Sequence, residues 1–227
     1  RVIIEACDRL DRDAASLGPR QTLRTWDAIA KVAADYYPVE YRRSVAAGLP
    51  LAEKLHGPDS REAWSWRFRA AYQFEVATDP VQALPKYQEV EAGLVRIGAT
   101  DDAVYATTMH NIGSSLKAAG RLDESEAWLN RAIEARVRVH GPTSAEVIRA
   151  KASLANLRLQ QRRIEEASAI AEALRPLAAA VEETSRKTWI AVEALRSRVA
   201  TARGDRKASE AIWRSEEHTS ELQSPCN

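Results

Sequence analysis

The residues of this sequence that could do chemistry are few, and they form no recognisable catalytic set. The patterns G-x-x-x-x-G-K-[ST], G-x-G-x-x-G, H-E-x-x-H and G-x-S-x-G do not occur, so a phosphate loop, a zinc-binding helix and a serine nucleophile are all unsupported. His56 and His140 each precede a glycine, where an imidazole at a helix end would favour the helix dipole. His110 lacks partners with which to hold a metal. The sequence therefore predicts no enzyme, no bound metal and no cofactor.

Any functional side chain must be positioned by a unit that repeats with a period of about 42 residues, within the range typical of helical repeat arrays. The segment HGPDS at 56–60 returns as HGPTS at 140–144, and Gly57, Gly98 and Gly141 are 41 and 43 residues apart. Such recurrence indicates stacked supersecondary units rather than one globular core. Glycine and proline occur only nine times each, and the sequence is rich in Ala, Arg, Glu and Leu, which favours helix throughout.

The central copy of the repeat predicts a pair of helices. Residues 108–119 have helical spacing of apolar side chains, Gly120 breaks this helix, and residues 122–139 begin a longer one. Thr143 and Glu146 have the spacing of a capping box for the helix that follows. The predicted unit is therefore helix, tight turn, longer helix.

A shift by one period keeps small side chains in register. The residues that stay small are Gly113, Ala71 and Ala155 in the first helix of each pair, and Ser125, Ala83 and Ala167 in the second. A bulky side chain at these positions would hold the helix axes apart. We therefore expect the two helices of each pair to approach closely there.

The segment GRLDESEAWLNRAI at 120–133 resembles the turn and second helix of tetratricopeptide repeats. The longer period, HNIG at 110–113 and the G-P-x-S link are similar to the kinesin-light-chain variety of that family. The resemblance covers roughly residues 29–213 and implies an all-α fold, a right-handed α-solenoid of helix-turn-helix repeats. HEAT and armadillo arrays also have repeats of about 40–47 residues and remain the alternative, ranked lower because of the G-R-L-D-E-S turn.

The resemblance implies a division of the chain into repeats. Its parts are a leading helix at 1–18, a degenerate repeat at 19–57, repeats at 58–98, 99–141 and 142–183, and a truncated repeat at 184–213. The segment RSEEHTSELQS at 214–224 is similar to the translation of a sequencing-library adapter, so we interpret 214–227 as an artefact and exclude it from fold reasoning. We expect residues after Trp213 to pack poorly, and the truncated repeat to permit self-association.

In arrays of this family the first helices line a concave surface, and the resemblance implies which residues lie there. The candidate peptide-binding residues are Tyr72, His110, Asn111, Ser114, Lys117, Arg149 and Asn156, with Phe68 beside them. An Asn amide can both donate to and accept from a peptide backbone, Lys and Arg can hold carboxylates, and Tyr offers an aromatic wall. These positions do not assemble the Lys/Asn/Asn/Lys/Arg carboxylate clamp of chaperone-binding arrays. We expect an extended or helical segment in a preformed groove; an empty, solvated groove is the alternative.

Two further features bear on exposed contacts. Trp64 and Trp66 are two residues apart, about 200° around a helix, so we expect one of them to be exposed. Arg158, Arg162 and Arg163 form a basic cluster near a turn, which we interpret as solvated.

The predicted function is a non-enzymatic scaffold that binds a protein or peptide partner. A second hypothesis is the sensory or assembly arm of a larger bacterial serine/threonine kinase or winged-helix regulator, on the cytoplasmic or periplasmic side of the inner membrane. This hypothesis is motivated by the N-terminal sequence, which resembles that of proteobacterial proteins of this architecture. An enzyme is the third and least supported hypothesis. No apolar run is long enough to span a membrane, and the near balance of 33 basic and 32 acidic residues argues against nucleic acid as a partner.

Overall fold

The computed structural model of the chain describes residues 2–34, 36–76 and 79–221. Within those ranges the backbone forms eleven α-helices and no strand. The helices are α1 (Val2–Leu17), α2 (Pro19–Ala33), α3 (Pro38–His56), α4 (Arg61–Val76), α5 (Pro80–Arg96), α6 (Ala103–Ala118), α7 (Leu122–His140), α8 (Ala145–Gln160), α9 (Ile164–Ala180), α10 (Arg186–Ala202) and α11 (Arg206–Glu221). The predicted all-α class is confirmed.

After α1, the helices alternate in two series with a nearly constant period. We call α2, α4, α6, α8 and α10 the first helices; they begin at residues 19, 61, 103, 145 and 186. The second helices α3, α5, α7, α9 and α11 begin at 38, 80, 122, 164 and 206. The period predicted from the glycines is thus confirmed by the helix starts. α6 begins earlier than predicted because the Asp102 side chain caps it, accepting a hydrogen bond from the Val104 amide at 2.7 Å.

The helices group into two compact units, residues 1–120 and 121–227. Consecutive helices pack on one another within each unit, from α1 to α6 in the first and from α7 to α11 in the second. Each unit has a buried apolar cluster, around Trp26 and Trp66 in the first and around Leu174 and Leu195 in the second. The finer division into repeats stays a prediction.

The positions that stay small are buried and lie where helices approach each other. Gly113, Ser125 and the four alanines in register with them are all buried. In the last helix pair the equivalent positions hold Ser197 and Ser209, whose hydroxyl oxygens are 2.8 Å apart. Matching small positions of α10 and α11 therefore meet directly.

Trp64 and Trp66 are both buried, so the prediction that one of them would be exposed is wrong. They are 4% and 3% exposed. The Trp66 ring lies against Gly48 of α3, and the Trp64 ring lies against Gly93 of α5. Because α4 has a helix on each of two sides, side chains about 200° apart can both be covered. Neither tryptophan is available as an exposed contact.

Serines, and not the predicted threonine, cap the helices that follow the H-G-P-x-S links. The Ser144 hydroxyl accepts a hydrogen bond from the Val147 amide at 3.4 Å, and the Ser60 hydroxyl accepts one from the Ala63 amide at 3.1 Å. The predicted N-cap residue was therefore placed one residue too early, and Val147, three residues after Ser144, cannot complete a capping box. His56 and His140 are the last residues of α3 and α7, as predicted.

The turn between the first and second helix of a pair needs a residue with positive φ. In one of these turns that residue is Arg162, a member of the basic cluster. Gly120 and Gly204 have φ of 76° and 82°, and Arg162, midway between them in sequence, has φ of 60°. The interpretation of the cluster as solvated is wrong for Arg158, which is 8% exposed and forms an ion pair with Glu126. Arg163 is exposed and pairs with Glu166 at 2.6 Å.

The backbone of α11 continues through Glu221, into the tail that we interpret as adapter-derived. The expected poor packing concerns the side chains of residues 215–221 and the segment 222–227, which lie outside the described residues. Self-association through the last repeat stays a prediction.

Candidate ligand-binding groove

A groove of about 520 Å³ opens in the first unit between α2, α4 and α6. Apart from His56, the last residue of α3, its polar lining comes from three helices: Arg24 and Asp27 from α2, Arg61, Glu62, Ser65 and Arg69 from α4, and Asp102 at the start of α6. All three of these helices belong to the series that was expected to carry the binding surface. The lining residues, however, lie towards the N-terminal halves of α4 and α6, whereas the predicted set extends towards their C-terminal halves.

An ion pair between Arg69 and Asp27 fixes the wall shared by α2 and α4. These two residues are one repeat period apart, the Arg69 side chain is 14% exposed, and its guanidinium stacks over the Trp66 ring at 4.4 Å. Lys31 also contacts Asp27, at 2.7 Å. Burial opposes ionisation of Asp27, but hydrogen bonds from Lys31 and Arg69 lower its pKa below the ordinary value. This wall is therefore charged and ordered before any ligand arrives.

A second ion pair joins α4 to α6. Arg61 contacts the Asp102 carboxylate, whose side chain is only 7% exposed because it also caps α6. The hydrogen bond to Asp102 raises the pKa of Arg61. Arg24 and Glu62, in contrast, are exposed and form no ion pair with any residue that the structure describes. Arg61 is exposed too, at 64%, but its charge is paired, so Arg24 and Glu62 are the unpaired charged groups of the described groove that a ligand can reach.

Two of the predicted binding residues in the first unit serve an aromatic and polar network between helices. The ring centroids of Tyr72 and Tyr41 are 5.9 Å apart, and Phe68 stacks on Tyr72 at 6.4 Å. Asn111 is 6% exposed, and its amide donates to the Tyr87 hydroxyl at 2.9 Å. Because its amide is engaged inside the unit, we leave Asn111 out of the proposed contact residues.

The other predicted residues of the first unit remain partly accessible. His110, Ser114 and Lys117 are half-buried on α6, and none of them lines the groove described above. Tyr72 is likewise half-buried on α4. The structure therefore separates them from Arg24, Glu62 and Ser65 along the helices.

The two predicted residues of the second unit connect α8 to α10. Arg149 donates from Nη1 to the Thr188 hydroxyl at 3.0 Å and pairs through Nη2 with Glu146 at 3.3 Å. The Asn156 Oδ1 accepts from Arg198 at 3.0 Å, and these two residues are again one period apart. Both side chains are half-buried. Their first role is to hold neighbouring first helices together.

Sequence reasoning missed Arg24, Asp27, Ser65 and Arg69. The signal was present, since Asn111 shifted back by one and by two periods falls on Arg69 and Asp27. Arg149 shifted back by two periods falls on Ser65 in the same way. Carrying the period back to α2 would therefore have reached the groove.

The structure adds two observations on cofactors and membranes. In the described part of the chain, no group of three or more His, Cys, Asp or Glu side chains could hold a metal ion. None of the described helices is both long and apolar enough to cross a membrane.

Comparison with known proteins relates this architecture to a family. The model of the tetratricopeptide repeat matches residues 104–180. No curated protein matches the sequence. Among solved structures, BtubC (BKLC) from P. vanneervenii is similar with a TM-score of 0.74 and 16% identity, over 100% of this chain and 91% of that chain.

Two more solved structures share the fold. A kinesin-light-chain-type protein of Podosopora anserina, with nearly identical TPR-like repeats, has a TM-score of 0.59 and 10% identity over 99% of this chain and 97% of that chain. Rap protein complexed with Competence and Sporulation Factor has a TM-score of 0.70 and 14% identity over 95% of this chain and 59% of that chain. These matches confirm the expected helix-turn-helix solenoid fold and favour it over HEAT or armadillo arrays. Residues 104–180 are therefore tetratricopeptide repeats, and the chain has the fold of kinesin-light-chain-like tetratricopeptide-repeat proteins.

Proposed function

We propose that this chain is a non-enzymatic module that binds a segment of a partner protein in the groove between α2, α4 and α6. Tetratricopeptide repeats typically mediate protein–protein interaction, and their scaffolds are generally non-enzymatic. Rap, which has a similar fold, is complexed with Competence and Sporulation Factor. The observation that carries the proposal is a groove of about 520 Å³ on the first helices, with exposed charges at its surface.

The walls of this groove are suited to binding because they are already ordered. The ion pairs Arg69–Asp27 and Arg61–Asp102 hold three helices in place, so few side chains have to be immobilised when a ligand enters. Arg24 can pair with a ligand carboxylate, and Glu62 with a ligand cation. Ser65 can donate to or accept from a peptide backbone. The expected ligand is an extended peptide segment with charges of both signs.

The test begins with a peptide selected against the protein from a random display library. Its affinity is then measured for the Arg24→Glu and Glu62→Lys variants by calorimetry or fluorescence anisotropy. The matched controls are Arg42→Glu on α3 and Glu89→Lys on α5, which change the same charges at exposed positions of second helices. We expect each groove variant to bind at least about tenfold more weakly, and the controls to stay within about twofold. Equal affinities for groove variants and controls would rule out this groove as the site.

The half-buried residues Tyr72, His110, Ser114 and Lys117 stay proposed contacts for a ligand that continues along α4 and α6. Lys117→Glu tests this extension, since reversing its charge should weaken an acidic ligand. Asn156 stays a proposed contact in the second unit. That the chain is an arm of a larger kinase or winged-helix regulator also stays a prediction.

A further inference from the structure

The second unit buries an arginine at a position that is apolar in the second helices α3, α5 and α9. Arg136 of α7 is 8% exposed, whereas its equivalents one or two periods away, Ala52, Leu94 and Ala178, are all fully buried apolar residues. A guanidinium at a core position is costly because it loses its hydration, and the cost is recovered only when an anion and hydrogen bonds compensate it. Residues that depart in this way from the pattern of the repeat concentrate at functional positions.

Arg136 lacks the compensating anion among the residues that the structure describes. Its Nη1 donates to the backbone carbonyl of Glu146 at 3.1 Å, and no carboxylate of the described ranges forms an ion pair with it. Burial and the nearby charge of Arg149 lower the pKa of Arg136 to about 10. The side chain nevertheless stays protonated at neutral pH, and the Glu146 carboxylate, which acts on it from beyond ion-pair distance, offsets its charge only in part.

A second arginine and two hydroxyls lie beside this charge. Arg149 donates from Nη1 to Thr188 at 3.0 Å and to Ser185 at 3.4 Å, and the two hydroxyl oxygens are 2.8 Å apart. The only carboxylate paired with either arginine in the described structure is Glu146, which contacts Arg149 at 3.3 Å. The cluster therefore holds two positive charges and one negative charge.

The start of α10 adds to the positive field at the same place. Ser185 precedes α10, and no side-chain oxygen caps the first turn of this helix. In α8 the equivalent position is capped by Ser144. An uncapped N-terminus of a 17-residue helix presents backbone N–H groups and the positive end of the helix dipole. An anion beside Ser185 and Thr188 would meet these groups as well as the guanidinium of Arg149.

We propose that Arg136, Arg149, Ser185 and Thr188 form a binding site for a phosphoryl oxyanion at the junction of α7, α8 and α10. The fork of a guanidinium group matches the oxygens of a phosphoryl group, and the hydroxyls can donate to the same group. A phosphoryl oxyanion supplies the negative charge that the cluster lacks. The phosphoryl group belongs either to free phosphate or to a phosphorylated side chain of a partner.

The test compares the thermal unfolding midpoint in inorganic phosphate and in chloride at equal ionic strength. Phosphate should raise the midpoint of the unmodified protein more than chloride does, since a ligand that binds only the folded state stabilises it. Arg136→Leu copies the residue found at Leu94, so it should fold with a higher midpoint in chloride but lose the additional effect of phosphate. Arg149→Ser should lose that effect too. Arg198→Ser, an exposed change on α10, is the control and should keep it.

Two further measurements use a variant of Glu146 and a second ligand. Glu146→Gln removes the carboxylate that competes for Arg149, so its response to phosphate should exceed that of the unmodified protein. O-phosphoserine, measured against serine, separates the two sources: binding as tight as that of phosphate assigns the site to a phosphorylated side chain, and binding of phosphate alone assigns it to the free ion. The proposal is overturned if phosphate acts no more strongly than chloride, or if Arg136→Leu and Arg149→Ser respond to phosphate as the control does.

Discussion

Replacement of Gly93 by alanine tests how closely α4 and α5 approach each other. A Cβ atom at Gly93 would lie 2.3 to 2.4 Å from three atoms of the Trp64 ring. Carbon atoms in contact normally stay about 3.5–4.0 Å apart, so the ring or the helix would have to move by more than about 1 Å. Trp64 is a rigid ring, and it is only 4% exposed.

The magnitude follows from two opposing effects. Overpacking a well-packed core costs about 1–3 kcal/mol, and this overlap lies at the upper end of that range because it involves a rigid ring. Exchanging Gly for Ala inside a helix gains about 1 kcal/mol. Gly93→Ala should therefore lower the free energy of unfolding by about 2 kcal/mol. The same reasoning applies to Gly48→Ala, where the Cβ would meet the Trp66 ring at 2.3 Å.

The assay is urea unfolding followed by far-ultraviolet circular dichroism. Ala92→Gly, at the adjacent exposed position of α5, measures the helix-propensity effect without overlap. The double variant Gly93→Ala/Trp64→Leu should be less destabilised than the sum of the single changes by at least about 1 kcal/mol, because the smaller side chain accepts the methyl group. A stabilising effect of Gly93→Ala, or additive effects in the double variant, would refute the close approach of these helices.

Three further predictions concern a turn, a thiol and an ion pair. Arg162→Gly should stabilise the protein by about 1 kcal/mol, because a non-glycine residue at φ 60° is strained; an unchanged or lower urea midpoint would contradict this. In a Cys226→Ser background, Cys7 should react with a thiol reagent only after unfolding, because burial raises its pKa and leaves the side chain 0% exposed; fast labelling of the folded protein would show that α1 opens. Glu126→Gln should lower stability at neutral pH by about 1.5–3 kcal/mol, because hydrogen bonds from Arg158 hold the pKa of Glu126 below its ordinary value. That contribution is present above the unfolded-state pKa of about 4.3 and is lost as the pH falls through the folded pKa, so urea midpoints of the two proteins should converge in acid, and a constant difference would contradict the assignment.

Part of the candidate site could be predicted from the sequence because its residues follow the repeat. The first helices were identified as the binding series, and the groove does lie on three of them. The sequence could not show that Asn111 is buried against Tyr87, because a period places a residue on a face but does not say which side chains cover that face. The same limit applies to Arg158, whose partner Glu126 lies on another helix.

The sequence by itself determined the repeat period, the helix pairs and the small positions. These features depend on local propensity and on which residues recur at equal spacing, and both can be read along one chain. Tertiary structure decided that Trp64 and Trp66 are both covered, because each packs on a glycine of a different neighbouring helix. It also decided that Arg136 is buried beside Arg149, since burial depends on how many helices surround a residue and with what charges.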